Sequence, residues 1–109
     1  MNRPITQKTG KSKRGQWTAK QRQYVDRCVA DGCVACRRAE GIRGVPCQWH
    51  HEKERFHGAG MRSPHEFGLP LCFEDHFLIH HYRADFEARV MCTEAELVDL
   101  LQIEYNWRG

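Results

Sequence analysis

Apolar residues recur at helical spacing early in this 109-residue chain, after a polar start. Thr18 and Gln21 have the spacing of a capping box, which predicts that a helix begins here. The apolar positions that follow have helical spacing: Tyr24, Val25, Cys28 and Val29. Gly32 is a typical residue at which a helix stops. The pattern therefore predicts a helix over residues 19–31.

The middle of the chain has a different pattern. Cys33-Val-Ala-Cys36 opens a short turn, and glycine and proline interrupt the chain before a compact apolar and aromatic segment over Val45–His50. Such a segment between breakers predicts a strand. Residues 52–68 are polar, contain glycine and show little periodicity, so they are predicted to form a loop. Loops of this length are usually functional.

Two helices are predicted in the second half of the chain. Leu69-Pro-Leu-Cys72 leads into the first, over Phe73–Arg83. Thr93 and Glu96 form another capping box. The apolar stripe of the final helix follows: Leu97, Leu100, Leu101 and Tyr105. The order of elements indicates a small α+β fold, in which a two-stranded hairpin and a helix are flanked by helices at both ends.

Cysteine and histidine stand out in the composition. The chain has six Cys and seven His, and all seven His lie between His50 and His81. No stretch approaches the roughly 18 apolar residues of a membrane span, and Met1–Lys20 has no apolar segment of the kind found in secretory signals. We therefore expect a cytoplasmic protein without a membrane partner, whose cysteines bind metal rather than form disulfides.

Positive charge is concentrated at the front of the chain, although the formal net charge is only +3. Seven basic residues precede the first acid, Asp26. Residues 1–17 have few apolar side chains, which predicts a flexible leader before one folded domain over 18–109. Such a leader either contacts nucleic-acid phosphates or is a solvated tail. The candidate phosphate contacts are Lys8, Lys11, Lys13 and Arg14.

Three cysteines have the arrangement of a structural zinc site. Such a site needs four tetrahedral ligands, and Cys33 and Cys36 have the two-residue spacing that supplies a pair. Cys72 is the obvious third ligand, because it lies at the mouth of a predicted helix after a rigid Leu-Pro-Leu run. Three residues compete for the fourth position: Asp75, His76 and Cys47. The alternative is a group of buried free thiols.

The histidines indicate a second, catalytic metal site. Neighbouring side chains on a strand point to opposite faces, so His50 and His51 must do different jobs. His76 and His80 share a helix face and could clamp one ion, which His50 would complete while leaving an open position. His51 could then take a proton from water, because an imidazole has an ordinary pKa of about 6.5. Of the other histidines, His81 could contact phosphate, and His57 and His65 lie in the long loop where they could approach substrate. The alternative for each is a solvent-exposed surface residue.

These motifs together resemble the phage recombination-enhancement (RecA-dependent) nucleases and related phage proteins of the histidine finger (HNH) superfamily. The resemblance lies in Cys33-x-x-Cys36, Trp49-His50-His51, and Leu69-Pro-Leu-Cys72 with His76 and His80. It covers about residues 18–81 and implies a treble-clef-like ββα-metal fold. It also implies His50, His76 and His80 as catalytic-metal ligands, His51 as general base, and zinc on the three cysteines. Dependence on a RecA-type filament is implied by the resemblance alone.

The chain departs from the family pattern at two places. Family members often have Cys-x-x-His-His after the Pro-Leu, whereas this chain has Asp75 before His76. Either Asp75 is the fourth zinc ligand or the helix is shifted by one residue. No asparagine lies between His51 and His80, so another group or a backbone carbonyl must orient the base.

The sequence thus predicts a metal-dependent DNA endonuclease, and the resemblance implies a role in phage recombination. It would need a structural Zn²⁺ and a catalytic divalent ion, which is Mg²⁺, Mn²⁺ or Zn²⁺. One alternative is a non-catalytic zinc module that binds nucleic acid or a protein partner. The other is an RNA-directed nuclease. A second, exchangeable ion at the histidines would separate the enzyme from the non-catalytic module, because a structural module needs only one closed zinc site.

Overall fold

A computed structural model of the chain describes residues 16–58 and 61–108, and the four basic residues singled out in the leader lie outside them. Within these residues the elements form an α+β fold, as predicted. In chain order they are α1 (Ala19–Ala30), α2 (Val34–Glu40), β1 (Gln48–His51), β2 (Gly68–Leu71), α3 (Phe73–His81), α4 (Arg83–Val90) and α5 (Glu94–Glu104).

Both predicted capping boxes are present, and they begin the outer helices α1 and α5. The Thr18 hydroxyl accepts from the Gln21 backbone N–H at 3.0 Å, and the Gln21 side chain accepts from the Thr18 N–H at 2.9 Å. Thr93 and Glu96 form the same reciprocal pair at the start of α5. Because these bonds satisfy backbone donors that lack a helical partner, they define where each helix begins.

The two strands form an antiparallel sheet in which His50 lies opposite Leu69. The first strand begins later than predicted, at Gln48, because Pro46 cannot donate a ladder hydrogen bond. Pro70 is tolerated in β2, since each strand of a two-stranded sheet has a free edge. Gly68 is required by close approach: an added Cβ would lie 2.6 Å from the His50 carbonyl oxygen and from the Trp49 indole nitrogen.

Two sequence predictions about the helices need correction. The Cys33–Cys36 segment is not only a turn, because Val34–Glu40 forms the short helix α2 directly after Cys33. The helix predicted over Phe73–Arg83 ends at His81, and Tyr82 leaves helical geometry before α4 begins. Helix α4 was not predicted, because only two of its residues, Phe86 and Val90, are buried and they give a weak apolar pattern.

The core lies between the helices and the fully buried strand β2. It is formed by apolar side chains from α1, α2, β2, α3, α4 and α5. Trp17 packs against this core, so the folded part includes that residue. In the described part of the chain, no helix combines the length and apolarity needed to cross a membrane.

Candidate metal centres

Four side chains from the N-terminal ends of two helices, α2 and α3, converge on one small volume. The ligand atoms of Cys33, Cys36, Cys72 and Asp75 all lie within 4.8 Å of one another. The Cys36 and Cys72 sulfurs are 3.9 Å apart, and Asp75 Oδ2 lies 3.2–3.5 Å from the three sulfurs. A tetrahedral zinc with bonds of about 2.3 Å to sulfur separates its ligand atoms by roughly 3.8 Å. The donor set and its spacing therefore fit a metal ion.

Backbone geometry around Cys33 holds the first pair of ligands. Gly32 has a positive φ of +92°, and an added Cβ there would lie 2.6 Å from the Val45 backbone nitrogen. Only glycine permits this close approach. It allows the Cys33 N–H to donate to the Val45 carbonyl at 3.0 Å. Cys36 lies in the first turn of α2, where its thiol faces the cluster.

The second pair of ligands belongs to α3. Cys72 is the N-cap of this helix, and its sulfur accepts from the Asp75 backbone N–H at 3.5 Å. The Arg89 guanidinium of α4 donates to Asp75 Oδ1 at 2.8 Å and to Oδ2 at 3.4 Å. Burial alone would raise the pKa of Asp75, but these bonds and those from Cys72 and Cys33 lower it overall. Asp75 is therefore an ionised oxygen donor.

The Cys33 and Cys36 thiols, by contrast, need a metal to lose their protons at neutral pH. Burial raises the pKa of Cys33, and it raises that of Cys36 to about 11. Zinc binding would release these protons, because thiolates rather than thiols are the ligands. A bound ion would thus replace buried S–H groups with a charged, coordinated site.

Of the three residues that compete for the fourth position, Asp75 is the one in the cluster. His76 belongs to a separate group on the next face of α3. The Cys47 thiol instead lies 3.6 Å from the Val29 carbonyl oxygen, to which it donates. The helix therefore needs no one-residue shift.

The second group consists of the three predicted histidine ligands. Ligand atoms of His50, His76 and His80 lie within 4.8 Å of one another. Strand β1 supplies the first, which is buried, and α3 supplies the others one helical turn apart. His80 is exposed, so the group opens to solvent, whereas the cysteine group is closed. Three imidazoles with one open side fit a divalent ion that can take up a further ligand.

The imidazoles of α3 are suited to ligation at neutral pH. Burial lowers the pKa of His76 and of His80, and the charge of His50 lowers both further. A neutral imidazole offers a lone pair to a metal, whereas a protonated one does not. Although Glu94 acts in the opposite direction on His80, the net shift lowers both pKa values, so the pair is available to bind a metal ion.

A buried carboxylate holds His50 in place. Glu94, at the first position of α5, is fully buried, and its Oε2 lies 2.6 Å from His50 Nε2. Its Oε1 forms an ion pair with Arg83 at 2.9 Å. Burial alone would raise the pKa of Glu94, but the bonds from His50, Lys53 N–H and Arg83 lower it overall. This leaves Nδ1 as the His50 nitrogen free to bind an ion, in a carboxylate–histidine–metal arrangement.

We predict that Glu94→Gln weakens divalent-ion binding at the histidines by about 10- to 100-fold, because an outer carboxylate orients its histidine and raises its basicity. Glu96→Gln is the matched control in the same helical turn, since a capping box accepts either residue. Calorimetric titration measures both variants, and a thermal melt verifies their fold. If Glu94→Gln and Glu96→Gln bound the ion with equal affinity, Glu94 would have no role in orienting His50 for metal binding.

His51 has a different environment, as the strand geometry predicts. Its Nε2 lies 3.0 Å from Nδ1 of His65, and the His65 ring stacks on Trp17 with centroids 3.9 Å apart. The Trp49 indole N–H donates to the His65 carbonyl at 2.9 Å. Burial lowers the pKa of His51, and the neighbouring His65 lowers it further. The His51 imidazole is thus oriented and neutral at neutral pH, with Nδ1 as its other ring nitrogen.

Three residues around these sites were missed by the sequence analysis: Glu94, His65 and Arg89. His65 was predicted only as a loop residue that could approach substrate, not as the partner of His51, and Glu94 and Arg89 lie on other elements than the ligands they contact. A capping-box helix start identifies the place of Glu94, but nothing in the sequence pairs it with His50. Of the remaining histidines, His57 is exposed and His81 is exposed with its ring against Phe77.

Comparisons with protein-family models, curated proteins and solved structures gave no significant match. The case for function therefore depends on the residues and geometry of this chain. Those residues define a small α+β protein with two candidate metal centres in the described part of the chain, one closed and one open.

Proposed function

We propose that the chain is a metal-dependent DNA endonuclease of the histidine finger type, with the β1–β2–α3 unit as its ββα-metal core. The observation that carries the proposal is the convergence of His50, His76 and His80 beside the separately oriented His51. Phosphodiester hydrolysis needs a cation against the phosphate and a base for water, and this arrangement supplies candidates for both.

The difference between the two candidate centres supports an enzyme over a purely structural zinc module. A structural module needs one closed site, and the Cys33, Cys36, Cys72 and Asp75 group fits that role. The three histidines offer a second site that is open on the His80 side. Histidines that served only the fold would not be expected to leave their group incomplete and facing solvent.

In the proposed reaction, His51 Nδ1 removes a proton from the attacking water. The hydrogen bond between His51 Nε2 and His65 Nδ1 fixes the ring, and His65 thereby takes the orienting role of the absent asparagine. An ion bound at the histidines would supply positive charge against the phosphate and the leaving oxygen. Glu94, which is itself paired with Arg83, holds His50 through Nε2.

The proposal is tested by cleavage of supercoiled plasmid DNA with Mg²⁺, Mn²⁺ or Zn²⁺ added. We expect wild-type protein to cut only with an added ion. His80→Ala removes an exposed ligand, so it is expected to bind the ion more weakly and to recover part of its activity at excess metal. His81→Ala is the matched control, because His81 is exposed on the same helix outside the group. Equal metal dependence in both variants would contradict the assignment.

A further inference from the structure

A cavity of about 420 Å³ opens beside His51. Lys53 and Arg62 contribute its cationic side chains, and His51 and His65 also line it. None of the lining side chains in the described part of the chain is acidic. The cavity therefore favours an anionic occupant.

Lys53 connects this cavity to the histidine group. Its backbone N–H donates to Glu94 Oε2 at 3.1 Å, the same oxygen that contacts His50. Its side chain lines the cavity together with His51. An anion at Lys53 would consequently lie beside the proposed base, at a residue whose backbone contacts the carboxylate that holds His50.

Part of the cavity wall is apolar, which narrows the chemistry of the occupant. Phe56 and Met61 line it, and Phe56 is held edge-on against Phe67 with ring centroids 5.4 Å apart. An inorganic anion would gain nothing from these side chains. A nucleotide has both a phosphate and a flat, weakly polar base, and cavities of about 300–1,000 Å³ hold ligands of that size.

We propose that this cavity binds one nucleotide of the DNA strand, with Lys53 and Arg62 contacting its phosphates and Phe56 and Met61 contacting its base or sugar. This inference depends on the proposed nuclease function, since it names where that site holds its substrate. In this arrangement the DNA strand runs from the cavity past His51 to the histidine group.

The test measures binding of a single-stranded DNA oligonucleotide by fluorescence anisotropy at several salt concentrations, without added divalent ion. Lys53→Gln and Arg62→Gln are expected to weaken binding separately. Their combination should flatten the plot of log affinity against log salt by about 1.4, at roughly 0.7 per phosphate contact on single strands. Arg43→Gln is the control for Arg62→Gln, because Arg43 is exposed outside the cavity lining.

The outcomes separate this inference from the proposed function. Unchanged affinity and slope in the double variant would overturn the cavity assignment, as would an equal loss in Arg43→Gln. If the double variant cleaves with the wild-type KM, the cavity assignment fails while the nuclease stands. If wild-type protein never cleaves but the double variant loses binding, the cavity stands as a nucleotide site and the nuclease proposal fails.

Discussion

Replacing His51 with alanine is expected to slow DNA cleavage by about 10²- to 10⁴-fold, the typical cost of losing a general base. The substitution should affect the base alone, because His51 contacts His65 rather than the three histidines of the open centre. Both metal sites and the fold should therefore remain. Single-turnover cleavage of plasmid DNA at saturating metal measures the loss.

Two controls make the His51 result specific. Metal content and the affinity for added divalent ion should match wild type in His51→Ala, and excess metal should not restore its rate. His50→Ala should behave differently, because removal of a ligand weakens ion binding. If His51→Ala cleaved DNA at the wild-type rate, His51 would have no catalytic role. If added metal restored the rate of the variant, His51 would be a metal ligand.

Replacing Cys33 with serine is expected to abolish tight zinc binding and most of the folded state. The cluster joins α2 to α3, and structural zinc in small domains contributes about 10–16 kcal/mol of binding free energy to folding. This contribution is as large as the whole usual stability of a folded domain, about 5–15 kcal/mol. Elemental analysis and a thermal melt give the two readouts.

Cys28→Ser is the matched control for this prediction. Cys28 is equally buried but lies outside the cluster. It belongs to α1, where its side chain contacts Tyr24. It should keep one zinc per chain and lose only part of its stability. The structural half of the account fails if purified wild-type protein contains no zinc and Cys33→Ser melts at the wild-type temperature.

Much of the fold could be predicted from local signals. The capping boxes at Thr18 and Thr93 identified the outer helices because such boxes use neighbouring residues only. Cys33 and Cys36 were recognisable because a two-residue spacing is itself a geometric constraint, and Cys72 because it precedes a predicted helix. Helix α4 was not predicted, since its buried face consists of only Phe86 and Val90.

The surroundings of the sites could not be predicted because they depend on contacts between distant elements. Glu94 contacts His50 from 44 residues away along the chain. Arg89 contacts Asp75 from α4, a helix that the sequence pattern did not predict. Asp75 was left among three possible ligands until the start of α3 at Phe73 fixed the direction of its side chain. His65 became significant only through its contact with His51.

The most direct test of the central claim is anomalous X-ray diffraction from crystals grown with Mn²⁺. We predict a zinc peak among Cys33, Cys36, Cys72 and Asp75, and a separate manganese peak bound by His50, His76 and His80. The manganese should be removable by chelator while the zinc remains. A single metal at the cysteines, with no manganese between the three imidazoles at saturating Mn²⁺, would contradict a metal-dependent nuclease and leave a structural zinc module.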